Sequence, residues 1–201
     1  MTHSGMRIVG LLLAAGRGAR FGGAKLLAPI PATSHGATAG TAVGAAAALH
    51  MMAALNDVVA VVRPGDSALE HALAPTGARV VVCERADDGM GTSLASAATA
   101  AIDADGWIVA LADMPWIAPA TIAAVAEALR GGAEIVVPTF QGDRGHPVGF
   151  ARAYGKLLMS LSGDEGARAI VAARQWAVTP VAVDDPGIVR DVDRPDDLKG
   201  A

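Results

Sequence analysis

An unbroken apolar run over residues 8–14 opens straight into a glycine-rich loop carrying Arg17, Arg20 and Lys25. No other part of the chain constrains the fold as tightly. The run reads as a buried strand, and Gly16, Gly18, Gly22 and Gly23 then let backbone N–H groups crowd around an anion. The three cations complete its neutralisation, so a polyphosphate suits this loop. Two common glycine motifs are excluded. A dinucleotide fingerprint needs a third glycine where Phe21 stands, and a P-loop needs Gly-Lys-Ser/Thr, whereas Ala24 precedes Lys25 and Leu26 follows it.

The remaining composition narrows the class. A chain of 201 residues, 52% apolar, fits one domain (1–201) with a sizeable core. Only 3% of residues are aromatic, so Ala, Val, Leu and Ile must fill that core. A net charge of −4 offers no dominant basic face, which argues against a nucleic-acid partner. The single cysteine, Cys83, rules out an internal disulfide or a multi-cysteine zinc site and reads as a buried strand thiol. Arg7 and the apolar run have some look of a secretory leader. The run is short, however, and Arg17, Arg20 and Lys25 follow it at once, as befits a first strand. No segment has the length of a membrane span, so a cytoplasmic protein with no membrane partner is expected.

Apolar strands and helices alternate along the chain. Strands are expected at 8–14, 57–62, 79–83 and 107–112, and helices at 42–55, 67–74, 91–103 and 119–130. Pro119 at the first turn and Gly131-Gly132 after the last bound that fourth helix. Residues 31–41 read as a loop. Segments 134–140 and 146–151 form a strand pair or a crossing, helices follow at 153–161 and 166–175, and a late strand covers 177–183. Ser162 and Glu165 have capping-box spacing before the second of these helices. The tail 189–198 is irregular and acidic. Strands separated by helices predict a Rossmann-like α/β fold, a mostly parallel sheet with helices on both faces. Ligands of such sheets bind at the carboxyl ends of the strands, which brings the glycine loop and Asp113 to one edge.

Several residues there have two readings. Asp113, between Ala112 and Met114-Pro115, either makes a turn contact or meets a cation, because a strand-end acid needs a partner. Thr92 or Ser93, after Gly89-Met90-Gly91, either caps a helix or faces a ligand. His146 is either structural or a ligand contact. Asp164 reads mainly as a helix-start residue, and Arg63 and Arg79 are expected to matter little.

The pattern Leu-Ala-Ala-Gly-x-Gly-x-Arg-Phe-Gly-x-x-Lys-Leu, from Leu12 to Leu26, resembles the signature loop of MobA-type nucleotidyltransferases, of nucleotide-diphospho-sugar transferase fold. Leu111-Ala112-Asp113-Met114-Pro115 is similar to the family's Leu-Gly-Asp-Met-Pro, with Ala112 in place of glycine. Asp191-Val192-Asp193-Arg194-Pro195 resembles its closing Asp-Ile-Asp-Thr-Pro. With Gly-Met-Gly-Thr-Ser-Leu from Gly89, Gly-His-Pro-Val from Gly145 and Gly-Asp-Glu-Gly-Ala-Arg from Gly163, the likeness is closest to the molybdenum cofactor cytidylyltransferase branch. One stretch departs: residues 30–44 are looser than the compact Leu-x-Gly-x-Pro-Leu of relatives.

That resemblance implies a Mg²⁺-dependent enzyme that transfers CMP from CTP to the phosphate of molybdopterin or molybdenum-molybdopterin and releases pyrophosphate. It implies nucleotide binding by Ala14, Ala15, Gly16, Arg17, Gly18, Arg20, Lys25, Gly91 and Ser93, with Arg20, Lys25 and Asp113 catalytic. Asp113 and Asp193 would hold the metal, and Arg144, His146 and Arg168 the acceptor. An apo-molybdoenzyme of xanthine dehydrogenase type would receive the product. The alternatives are a guanylyltransferase, an NTP transferase for another phosphorylated acceptor, or a non-catalytic cofactor-delivery chaperone.

Overall fold

Strand-forming runs pair into one sheet because their apolar residues face both ways. In the computed structural model, which describes residues 5–18, 21–31 and 37–199, eight strands join that sheet. They are β1 (Ile8–Leu13), β2 (Val58–Val62), β3 (Arg79–Val82), β4 (Gly106–Leu111), β5 (Ile135–Phe140), β6 (Asp143–Arg144), β7 (Val148–Ala151) and β8 (Val178–Ala182). The order runs β3-β2-β1-β4-β7-β5-β6, with β8 paired in parallel to β5. β3, β2, β1 and β4 are mutually parallel.

Residues 134–140 and 146–151 do pair, as β5 and β7. β7 enters between β4 and β5, antiparallel to both. The physical reason is the length of the connection between them. A few residues can turn a chain back on itself but cannot carry a parallel crossover.

Among the described residues six α-helices cover the sheet: α1 (Val43–Ala54), α2 (Ser67–Leu73), α3 (Met90–Ala100), α4 (Pro119–Arg130), α5 (Gly155–Met159) and α6 (Arg168–Ala173). Successive strand residues point to opposite faces. Ile8, Leu12, Val58, Ala60 and Ile108 therefore pack under α1, α2 and α4, whereas Val9, Leu11, Val59, Trp107 and Val109 pack under α3, α5 and α6. A third cluster of Ile30, Val43, Ala46, Trp116 and Val192 ties the C-terminal segment to the segment after β4. Among the described residues no helix is long and apolar enough to cross a membrane. Cys83 is buried, as expected.

Helix ends bear out some expectations and correct others. Pro119 opens α4 and Gly131 follows its last residue. Its capping group was not legible in the sequence. Asp185, buried, accepts hydrogen bonds from Ala118 N at 2.8 Å and Thr121 Oγ1 at 2.6 Å. α6 begins only at Arg168 and has no side-chain cap, so Ser162 and Glu165 form no capping box. Asp164 likewise lies several residues before that helix. α3 begins at Met90, one residue earlier than expected, which puts Thr92 and Ser93 inside its first turn instead of at its cap. Of the loop 31–41, residues 32–36 lie outside the described residues; on its flanks Pro29 and Ala42 pair in an antiparallel bridge.

Candidate active site

β1 and β4 lie side by side with Leu13 opposite Leu111, so the glycine loop and Asp113 emerge together at one sheet edge. Lys25 Nζ donates to Asp113 Oδ2 at 2.7 Å and lies 3.5 Å from Asp193 Oδ1. The Lys25 and Asp113 side chains are only 12% and 23% exposed. Such a pair is screened far less than a surface ion pair.

Asp193 arrives on the irregular C-terminal segment, and its place is fixed by backbone contacts. Val192 is buried and donates its N–H to the Asp113 carbonyl at 2.8 Å. Asp197 Oδ2 accepts from the N–H groups of Asp193 at 2.8 Å and Arg194 at 2.6 Å. Asp191, two residues earlier, reaches the same point. Ligand oxygens of Asp113, Asp191 and Asp193 all lie within 4.8 Å of one another. The signal for Asp191 was present in the alternation Asp191-Val192-Asp193, since anchoring Val192 inward turns both neighbours to the other side.

Asp113 Oδ1 is buried and has no hydrogen-bond partner among the described residues. A buried, unpartnered carboxylate oxygen is costly unless it meets a cation. Clustered carboxylates are hard donors of the kind that hold a divalent ion. The three residues therefore fit such an ion.

Three adjoining cavities form a groove along this edge. Gly16, Arg17, Gly18 and Lys25 line the outer one, of about 170 Å³. Ala15, Gly16, Arg17, Ser93 and Asp113 line the middle one, of about 280 Å³. Arg144, His146 and Arg168 line the largest, of about 640 Å³, together with apolar Leu94, Val109 and Val148. Leu13, Met90, Leu111 and Asp164 belong to both the middle and the largest.

Not every residue expected in the site faces these cavities. Ala14 is buried at the end of β1 and gives its N–H to the Val61 carbonyl. Gly91 gives its N–H to Gly163 O at 2.8 Å, and a Cβ there would lie 2.4 Å from Glu165 O. Its role is thus close packing of α3 against the loop before α6. Thr92 Oγ1 supports the same contact by accepting from Gly163 N at 3.2 Å. Ser93 Oγ donates to Gly89 O at 3.5 Å while lining the middle cavity. Arg20 lies outside the described residues.

Arg144 Nη1 donates to Gln175 Oε1 at 2.7 Å. Burial lowers the His146 pKa from the usual 6.5, against the opposing effects of a hydrogen bond with the Val109 backbone and the charge of Asp113. Arg79 stands apart from the groove, donating to Ala100 O at 3.0 Å. Arg63 does not stand apart. The expectation that it would matter little is at odds with its place in the lining of both the outer and middle cavities.

Residues 10–178 match the model of the MobA-like NTP transferase domain. The purine catabolism protein PucB of Bacillus subtilis is 28% identical over 94% of this chain and 93% of its own length. The crystal structure of Rv0371c from Mycobacterium tuberculosis is 31% identical, with a TM-score of 0.80 over 98% of this chain and 97% of that one. Rv0371c has also been solved in complex with manganese, at 30% identity and a TM-score of 0.77 over 98% of this chain and 100% of that chain. With the glycine loop, the strand-end acid and the C-terminal acids meeting on one sheet edge, the chain belongs to the family of MobA-like NTP transferase domains.

Proposed function

We propose that this nucleotidyltransferase transfers CMP from CTP to the terminal phosphate of molybdopterin or molybdenum-molybdopterin, with Mg²⁺ as its metal. The observation that carries the transfer chemistry is the single junction formed by Lys25 with Asp113 and Asp193. Lys25 lines the outer cavity and Asp113 the middle one, so the junction lies where those two cavities meet. The choice of CTP and molybdopterin rests on Ala15 and on the motif resemblance from Gly89, Gly145 and Gly163.

In this reading, an oxygen of the acceptor phosphate attacks the α-phosphorus of CTP. The new O–P bond forms as the bond to the β-phosphate oxygen breaks, and pyrophosphate leaves. A phosphate nucleophile is already ionised near neutral pH, so no general base is required. The work is positioning and charge neutralisation. Amides of Gly16 and Gly18, with Arg17, Arg20 and Lys25, hold the β- and γ-phosphates and take up the charge that develops on pyrophosphate. Asp113, Asp191 and Asp193 would hold Mg²⁺, whose chemistry is to neutralise the phosphate oxygens around the reacting centre; the manganese complex of the Mycobacterium tuberculosis relative supports a divalent ion.

Arg144 and Arg168 supply cations for an anionic acceptor at the mouth of the larger cavity. Its apolar wall suits a ring system. Ala15 and Ser93 line the cavity assigned to the base. The product would pass to an apo-molybdoenzyme of xanthine dehydrogenase type.

The test is a panel of the four NTPs, each with molybdopterin and Mg²⁺, read by pyrophosphate release. CTP should be turned over fastest. Turnover of GTP in preference to CTP would reassign the base, and release with a different phosphorylated acceptor only would reassign the acceptor.

A further inference from the structure

Arg63 follows β2 directly and so emerges at the same sheet edge as the glycine loop. Its side chain is mostly buried, 23% exposed, and lines both the outer and middle cavities beside Gly16 and Arg17. Across the mouth stands Asp87, in the short turn Ala86–Asp88 after β3. Its carboxylate is ion-paired at once with Arg63 and, at 2.7 Å, with Arg17. Two guanidinium groups thus converge on one exposed monoanion. Asp87 lines the middle cavity; the acid that lines the outer one, Asp66, is engaged as the cap of α2, accepting from Leu69 N at 3.3 Å. Lys25 pairs with Asp113 and Asp193.

We propose that Arg63 is a further phosphate-binding residue of the nucleotide site, and that Asp87 is a placeholder anion which the polyphosphate displaces. The inference rests on the nucleotidyl-transfer reading and adds to it a residue and an exchange. Guanidinium forks match phosphate oxygens two at a time, and charge-assisted hydrogen bonds of this type are strong. The carboxylate they give up, Asp87, is exposed, so its pairs contribute little on their own. Exchanging one carboxylate for a polyphosphate carrying several negative charges is therefore favourable. Meanwhile Asp87 keeps Arg17 and Arg63 aimed at the same point before the nucleotide arrives. The released pyrophosphate should bind the same pair.

Isothermal titration of inorganic pyrophosphate and of CTP, without acceptor, tests both parts on wild type, R63Q, R63K, D87N and Lys25→Ala. R63Q should weaken both ligands roughly tenfold or more, the value of one charge-assisted contact, and R63K should recover part of the loss. D87N, freed of the competing anion, should bind pyrophosphate at least about twofold more tightly at low salt, with the gain shrinking as salt rises. If R63Q binds like wild type while Lys25→Ala is weakened, the role of Arg63 is overturned and the reading of the loop stands. If Lys25→Ala also binds like wild type, the loop reading itself fails. D87N binding no tighter than wild type overturns the placeholder role. Far-UV circular dichroism on each variant confirms that all are folded.

Discussion

Lys25 Nζ and Asp113 Oδ2 stand 2.7 Å apart although 88 residues separate them in the chain. The contact is what turns two strand ends into one site. A cationic glycine loop and a strand-end acid are joined through one ammonium group, which also reaches Asp193.

Asp113→Asn tests the acidic side of that junction. The substitution keeps the shape but removes the charge that pairs with Lys25 and replaces one carboxylate oxygen by an NH2 group that cannot ligate a metal. Turnover should fall at least ~10²-fold, as for loss of a principal electrostatic stabiliser. The far-UV spectrum should be unchanged. Near-wild-type turnover from a folded Asp113→Asn protein would sink the assignment.

Base choice is expected to depend on Ala15, which lines the middle cavity. A purine needs more room than a pyrimidine, and Ala15→Gly provides it. The ratio of kcat/KM for CTP over GTP should fall by an amount worth ~1–3 kcal/mol, the usual value of one methyl-sized contact. A ratio that does not move removes Ala15 from the specificity argument.

His146 should make folding stability depend on pH in one window. Its folded-state pKa lies below the usual 6.5 because burial disfavours the charged ring. Above 6.5 both folded and unfolded states are neutral there, and the histidine adds no slope. As the pH falls below 6.5, the unfolded chain takes up a proton that the folded protein resists, so stability declines until the folded pKa is passed. His146→Gln should flatten that part of the curve of Tm against pH. Identical slopes in the two proteins would contradict the shift.

Asp185→Ala removes the acceptor shared by Ala118 N, Thr121 Oγ1 and Gly187 N. Three buried donors then lose their partner, and α4 loses its cap. Urea unfolding should show a loss of about 2–4 kcal/mol. A loss below about 0.5 kcal/mol would mean that water reaches those donors.

What the chain disclosed in advance, and what it kept, follows from the range of the interactions. β1, β2 and β4 are legible because each is a short apolar run flanked by turn residues, and α4 because Pro119 and Gly131 mark its ends. The insertion of β7 between β4 and β5 is a matter of which edge remains open, and no local pattern encodes it. Asp185 shows the same limit, since its partners lie 64 and 67 residues away. The loop, Asp113 and Asp193 stood out as motifs. Arg63 did not, because its meaning depends on Asp87 and Arg17 reaching it from other loops. Ser162 and Glu165 misled for the opposite reason. Their spacing fits a helix cap, but the backbone there is held by Gly91 and Thr92 before any helix begins.

The Val192–Asp113 hydrogen bond also sets an order of events during synthesis. The glycine loop and the first four strands emerge from the ribosome well before Asp191 and Asp193. A nascent chain can therefore form most of its sheet, and even its glycine-rich loop, while lacking two of the three clustered carboxylates. The acidic cluster closes only when the late segment docks beneath Trp116, so assembly of the parallel half of the sheet and assembly of the complete acidic site are separate in time.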